Sequence, residues 1–221
     1  MVGPPGWLDG GGRRPGSGHP CPSATGADHG RHEAQPIAHI DAELTGFATS
    51  ASQDDFDTVA AQLGRAPRGM CDVAWRCPCG RPGVVTTSPR LPDGTPFPTT
   101  YYLTCPRAVA ACSRLEASGM MAAMKARLAD DADLRARYES AHRAYLSDRA
   151  ALAARLGVED IPKRDYSAGG MPDRVKCLHA LVGHALAAGP GVNQLGDEVA
   201  AAIGEFWREP CGDEPCDGRT P

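Results

Sequence analysis

No stretch of this 221-residue chain stays apolar over the roughly 18–20 residues needed to cross a bilayer, which argues against a helical membrane protein. The N-terminus also lacks the basic start and unbroken apolar segment of a secretory signal. Positive charge is not in excess: 23 Lys and Arg stand against 27 Asp and Glu, a formal net charge of -4. That balance argues against holding nucleic acid by bulk electrostatics. There is no internal repeat, no paired CxxC knuckle of a zinc ribbon, and no Walker-type Lys-Ser/Thr after the Gly169-Gly170 pair. With these classes set aside, the expectation is a soluble, cytoplasmic protein.

Cysteine, glycine and proline are plentiful instead. Nine Cys are an odd number, so any intramolecular disulfide scheme leaves one over. In a reducing compartment their uses are metal ligation, a reactive thiol or burial as small apolar groups. The 26 Gly and 20 Pro are unevenly placed and divide the chain into three parts. Residues 1–50 read as a disordered Gly/Pro-rich tail that holds Cys21, His19, His29, His32 and His39, with too little apolar area to offset ordering entropy. Residues 51–207 read as one α+β domain, and residues 208–221 as a second disordered tail holding Cys211 and Cys216.

The domain begins with a helix signal. Ser52 is an N-cap candidate ahead of Asp54 and Asp55; Phe56, Val59, Ala60 and Leu63 follow at helical spacing, and Gly64 supplies the stop. Alternation at Val73, Trp75 and Cys77 predicts a strand, Gly83–Thr87 a second, and Thr99–Thr104 the strongest of three. Pro92-Asp93-Gly94 is turn chemistry between the last two. Three strands in close succession predict a small antiparallel sheet covered by several helices. Helices are then expected over about 108–118, from Met120, from Asp130 or Asp131 to about Leu156, over about 172–188, and over about 197–207.

The densest chemistry lies in Arg76–Pro106, which opens with Cys77-Pro78-Cys79 and closes on Cys105. Zinc needs about four soft or borderline ligands, and the candidates are Cys77, Cys79, Cys105, Cys177, His179 and His184, with Cys77-Pro78-Cys79 a weaker signal than paired CxxC knuckles. Helix geometry tests the last three. Cys177 and His184 would lie about 10 Å apart along one helix axis, too far to share an ion. Cys177 and His179 would point about 200° apart, so both serve one ion only if the helix begins after Cys177 or is distorted there. The competing reading is a reactive Cys105, placed just before a helix N-terminus and beside Arg107, with His179 or His184 as base.

The segments RCPCGRPGVV, PRLPDGTPFPTTYYLTCP, SRLEASG, AHRAYLSDR and DRVKCLHALVGHALAAGPGVN resemble the actinobacterial family called domain of unknown function (DUF) 501, over most of Asp54 to Gly196. The resemblance implies that Cys77, Cys105, Cys177 and His179 are signature positions, whereas Cys79 is variable. It implies no known activity. It also implies a genomic setting near enolase, a septum-formation initiator and an exopolyphosphatase. Three functions follow as expectations: a zinc-binding Cys/His cluster, an enzyme using Cys105 or a Cys/His-bound metal, and a scaffold with a protein partner in cell division or envelope biology.

Overall fold

The computed structural model describes residues 48–162 and 167–206. Cys21, His19, His29, His32, His39, Cys211 and Cys216, and with them nearly all of both expected tails, lie outside the described residues. The described chain is α+β. A four-stranded antiparallel sheet runs in the order β1 (Thr49–Ser50), β2 (Met70–Arg76), β3 (Pro82–Thr87), β4 (Tyr101–Leu103). Helix α1 (Gln53–Leu63) lies between the first two strands, and α2 (Pro106–Ala117), α3 (Met120–Asp130), α4 (Ala132–Leu156), α5 (Leu178–Ala188) and α6 (Gln194–Ala202) follow the sheet. No described helix is long and apolar enough to cross a membrane.

Both faces of the sheet are covered, and the period-2 alternation of a strand sorts its side chains between two cores. Met70, Val73, Val85 and Tyr102 meet Phe56, Val59 and Leu63 of α1. Ala74, Val84, Tyr101 and Leu103 join the larger core, built with α2, α3, α4, α5 and α6. Helix α5 is the central element, apolar on nearly every side and buried from Leu178 to Ala188 at most positions. It lies directly on β4, and Gly183 makes this approach feasible: a Cβ there would sit 3.2 Å from the Tyr101 carbonyl oxygen.

The α1 entry follows the sequence signal. Ser52 caps the helix by accepting from the Asp55 N–H, while Asp55 Oδ2 accepts from the Ser52 N–H at 2.9 Å. The Arg76 guanidinium at the end of β2 donates to both Asp55 oxygens, at 2.7 and 2.9 Å, and so ties α1 to the sheet. That fork, reinforced by Ser52 and opposed by burial, lowers the Asp55 carboxyl to about 2. A carboxyl with a lowered folded-state value contributes stability that is full above its unfolded value of 3.8 and is lost as pH falls through about 2. Asp55→Asn is expected to cost about 2 kcal/mol near neutral pH, and urea unfolding should find most of that difference gone at pH 2. A variant as stable as the wild type at pH 7 would refute the assignment.

Four elements differ from the sequence reading. The sheet has four strands because Thr49 and Ser50 pair with Val73 and Asp72, although both are exposed and carry no apolar signal. The strand expected over Thr99–Thr104 is only Tyr101–Leu103, since Thr104 turns to donate its N–H to Gly83. Helix α5 starts at Leu178 rather than near Pro172, because the Lys176 N–H bonds back to the Gly169 carbonyl, seven residues earlier, instead of entering a helical ladder. Helix α6 likewise begins earlier than expected, capped by Asn193, and ends at Ala202, while Trp207 lies outside the described residues.

Candidate metal centre

The shortened start of α5 decides the geometry of the Cys-Leu-His element. Cys177 is the N-cap residue, with extended backbone at φ -156° and ψ 116°, and His179 sits in the first turn. Their side chains therefore converge instead of pointing to opposite sides, and Cys177 Sγ lies 3.8 Å from His179 Nδ1. Facing them is α2. Glu116 Oε1 accepts the Leu178 N–H at 2.7 Å, satisfying one of the unpaired donors of the α5 N-terminus, and lies 3.1 Å from His179 Nδ1.

The other imidazole nitrogen is engaged as well. His179 Nε2 is 3.1 Å from the Val109 carbonyl and 3.3 Å from Ser113 Oγ, both on α2. A backbone carbonyl only accepts, so Nε2 carries a proton, and Nδ1 is the nitrogen turned toward Cys177 and Glu116. The hydrogen bond to Cys177 raises His179 to about 9 against the opposing effect of burial, and Glu116 acts in the same direction as Cys177. Burial would raise the Cys177 thiol, but the His179 hydrogen bond and the Ala180 backbone N–H outweigh it, and the thiol is lowered. The His179 and Glu116 side chains are each 25% exposed, so the cluster opens to solvent.

Glu116, Cys177 and His179 each offer one ligand atom, and these atoms lie within 4.8 Å of one another. Cys77, Cys79 and Cys105 are not in this group. Cys77 and Cys79 occupy the turn that follows β2, and Cys105 is the N-cap residue of α2, only 2% exposed. Cys105 therefore stands at a helix N-terminus as expected, but the thiol in contact with His179 is Cys177. His184 is elsewhere again, fully buried and stacked on the Tyr101 ring at 5.7 Å. Sequence reasoning missed Glu116 as a site residue. Its signal was a carboxylate one turn after Cys112, on the helical face that also carries Val109, where burial demands a partner.

Fold and side chains together define an α+β domain with a Glu–Cys–His cluster at the junction of two helices. The chain belongs to the family described as Protein of unknown function (DUF501), whose model matches residues 73–201 and so spans β2 to α6 and all three cluster residues. No curated protein and no solved structure matches the chain.

Proposed function

We propose that the protein binds zinc through Cys177, His179 and Glu116, and that the ion links α2 to α5. The distances among the donor atoms carry this reading. Tetrahedral zinc with bonds of about 2.3 Å to sulfur and about 2.0–2.1 Å to nitrogen and oxygen separates S from N by about 3.6 Å and N from O by about 3.4 Å. The corresponding separations here are 3.8 and 3.1 Å. The Nε2–H bond to the Val109 carbonyl supports the same reading, because it fixes the ring and leaves Nδ1 as the coordinating nitrogen. Three protein ligands at a half-exposed position leave a fourth coordination site for water, the arrangement of zinc sites that act on a ligand rather than only brace a fold.

Metal content tests it directly. Tag-free protein should carry zinc, and His179→Ala should lower the affinity by about 100-fold or more, since loss of mere supporting partners costs 10–100-fold. Equal zinc in the wild type and in the folded His179→Ala and Glu116→Gln variants would refute the site.

A second measurement addresses the thiol. In metal-free protein at neutral pH, iodoacetamide should alkylate Cys177 before Cys105 and Cys112, which are 2% and 0% exposed. Added zinc should slow the Cys177 reaction selectively. Labelling of Cys177 at the same rate with and without zinc would count against coordination through its sulfur.

A further inference from the structure

A cleft of about 610 Å3 lies between α3, the first two turns of α4 and the segment that follows Met171, on residues the metal centre does not use. Four of its lining side chains are charged, two of each sign: Lys125, Arg135, Glu139 and Asp173. Leu128 and Pro172 add apolar wall. The volume falls within the roughly 300–1,000 Å3 usual for small-molecule sites.

The backbone sorts these charges by sign. Arg135 Nη1 donates to the Leu128 and Ala129 carbonyls, at 2.8 and 2.7 Å, so the guanidinium is held against the C-terminal end of α3. Lys125 stands one turn before those carbonyls on α3, which puts both cations on the α3 side. Glu139 is one turn beyond Arg135 on α4, about 6 Å further along the axis. At that level the Tyr138 hydroxyl donates to the Arg174 carbonyl at 3.3 Å, which ties the loop to α4 and brings Asp173 to the Glu139 end. Both carboxylates also favour the charged form of His142, on the next turn of α4. The cleft therefore has a cationic end and an anionic end.

The opposite charges do not neutralise one another. Neither Lys125 nor Asp173 takes part in a hydrogen bond or ion pair among the described residues. Arg135 uses only Nη1 and keeps Nε and Nη2 for a further acceptor. Glu139 gives Oε1 to Arg143 at 3.1 Å and keeps Oε2.

We propose that this cleft binds a small zwitterion of dipeptide length, with its carboxylate on Lys125 and Arg135 and its ammonium on Asp173 and Glu139. A guanidinium already fixed by two carbonyls is suited to a carboxylate, because little side-chain freedom remains to be lost on binding. Length follows from the spacing of the two ends. They are about 6 Å apart along α4, and two extended residues span about 6.6–7.2 Å. A single α-amino acid carries both charges on one carbon and is too short to reach from end to end.

The test is a titration of the isotope-labelled full chain with alanyl-alanine, followed by NMR. Saturable shifts are expected at the amides of Lys125, Arg135, Glu139 and Asp173. N-acetyl-alanyl-alanine and alanyl-alanine amide each lack one charge and should bind at least about tenfold more weakly. Lys125→Ala and Asp173→Ala, both at exposed positions, should keep the fold and weaken alanyl-alanine by about tenfold each. No saturable shift at millimolar peptide overturns the proposal. So does undiminished binding of either blocked form, which would leave a site for one charge only. His179→Ala keeps the cleft apart from the metal centre: it should bind alanyl-alanine as the wild type does, and loss of binding there would place the peptide on the metal and overturn this site.

Discussion

Tyr145→Ala is expected to lower the free energy of unfolding by about 3–5 kcal/mol, the range for truncating a large buried aromatic. The Tyr145 side chain is fully buried on α4 and meets the sheet and α5 at once. Its ring is edge-on to Tyr101 at 5.7 Å and to His184 at 5.2 Å, arrangements that add to simple area burial. Its hydroxyl accepts the Thr100 N–H at 2.5 Å just before β4, so truncation also orphans a buried backbone donor. Tyr145→Phe separates the two contributions. It keeps the ring contacts and is expected to cost about 1–3 kcal/mol through the unsatisfied N–H alone. Urea unfolding with an unchanged m-value reads both changes. A loss of less than about 1 kcal/mol for Tyr145→Ala would mean that α4 is not packed on the sheet as described.

Acid sensitivity between pH 6.5 and 4 is the second large expectation, and it rests on His184. The Asn193 Oδ1 accepts from the Gly196 N–H, so the amide nitrogen Nδ2 faces His184 Nδ1 at 3.2 Å. An amide nitrogen only donates; His184 Nδ1 therefore accepts, and the ring is neutral with its proton on Nε2. The surroundings are the Tyr101 and Tyr145 rings and the Asn193 amide, with no carboxylate among its contacts, and burial lowers His184 to about 4. The sign follows from proton binding: below 6.5 the unfolded chain takes up a proton that the folded chain refuses until about 4. Stability from this group is full above 6.5 and declines by about 3 kcal/mol as pH falls to 4. The stability difference between wild type and His184→Phe should shrink by that amount across the window. A flat difference would show that His184 is protonated in the folded protein or is not buried.

Local elements were legible in the sequence wherever the deciding interactions are near in the chain. The α1 helix from Gln53 to Leu63 needed only Ser52, Asp55 and Gly64, all within its own turns. The α+β class was legible from the three β-rich runs followed by helical periodicity. The start of α5 was not, because Pro172–Cys177 satisfies helix-start rules while the Lys176 N–H is claimed by the Gly169 carbonyl seven residues earlier. For the site, the Cys177–His179 pair was legible together with the condition that joins them, a helix beginning after Cys177. The partner was not. Glu116 lies 63 residues from His179, and no periodicity or motif relates residues at that separation. Cys77 and Cys105 read as residues that the sheet could bring together, but spacing alone could not show that the start of α5 sets Cys177 and His179 against Glu116 of α2 instead.

The contact between Glu116 and the Leu178 N–H closes a loop of 62 residues that contains all of α3 and α4. Loop closure of that length is entropically unfavourable until packing rewards it, so the cluster is expected to assemble only when α5 docks on α2. Before α5 docks on α2, Cys177 and His179 share only a short segment of chain and lack the carboxylate. If the proposed zinc is bound, capture by all three ligands would therefore follow release of nearly the whole domain from the ribosome.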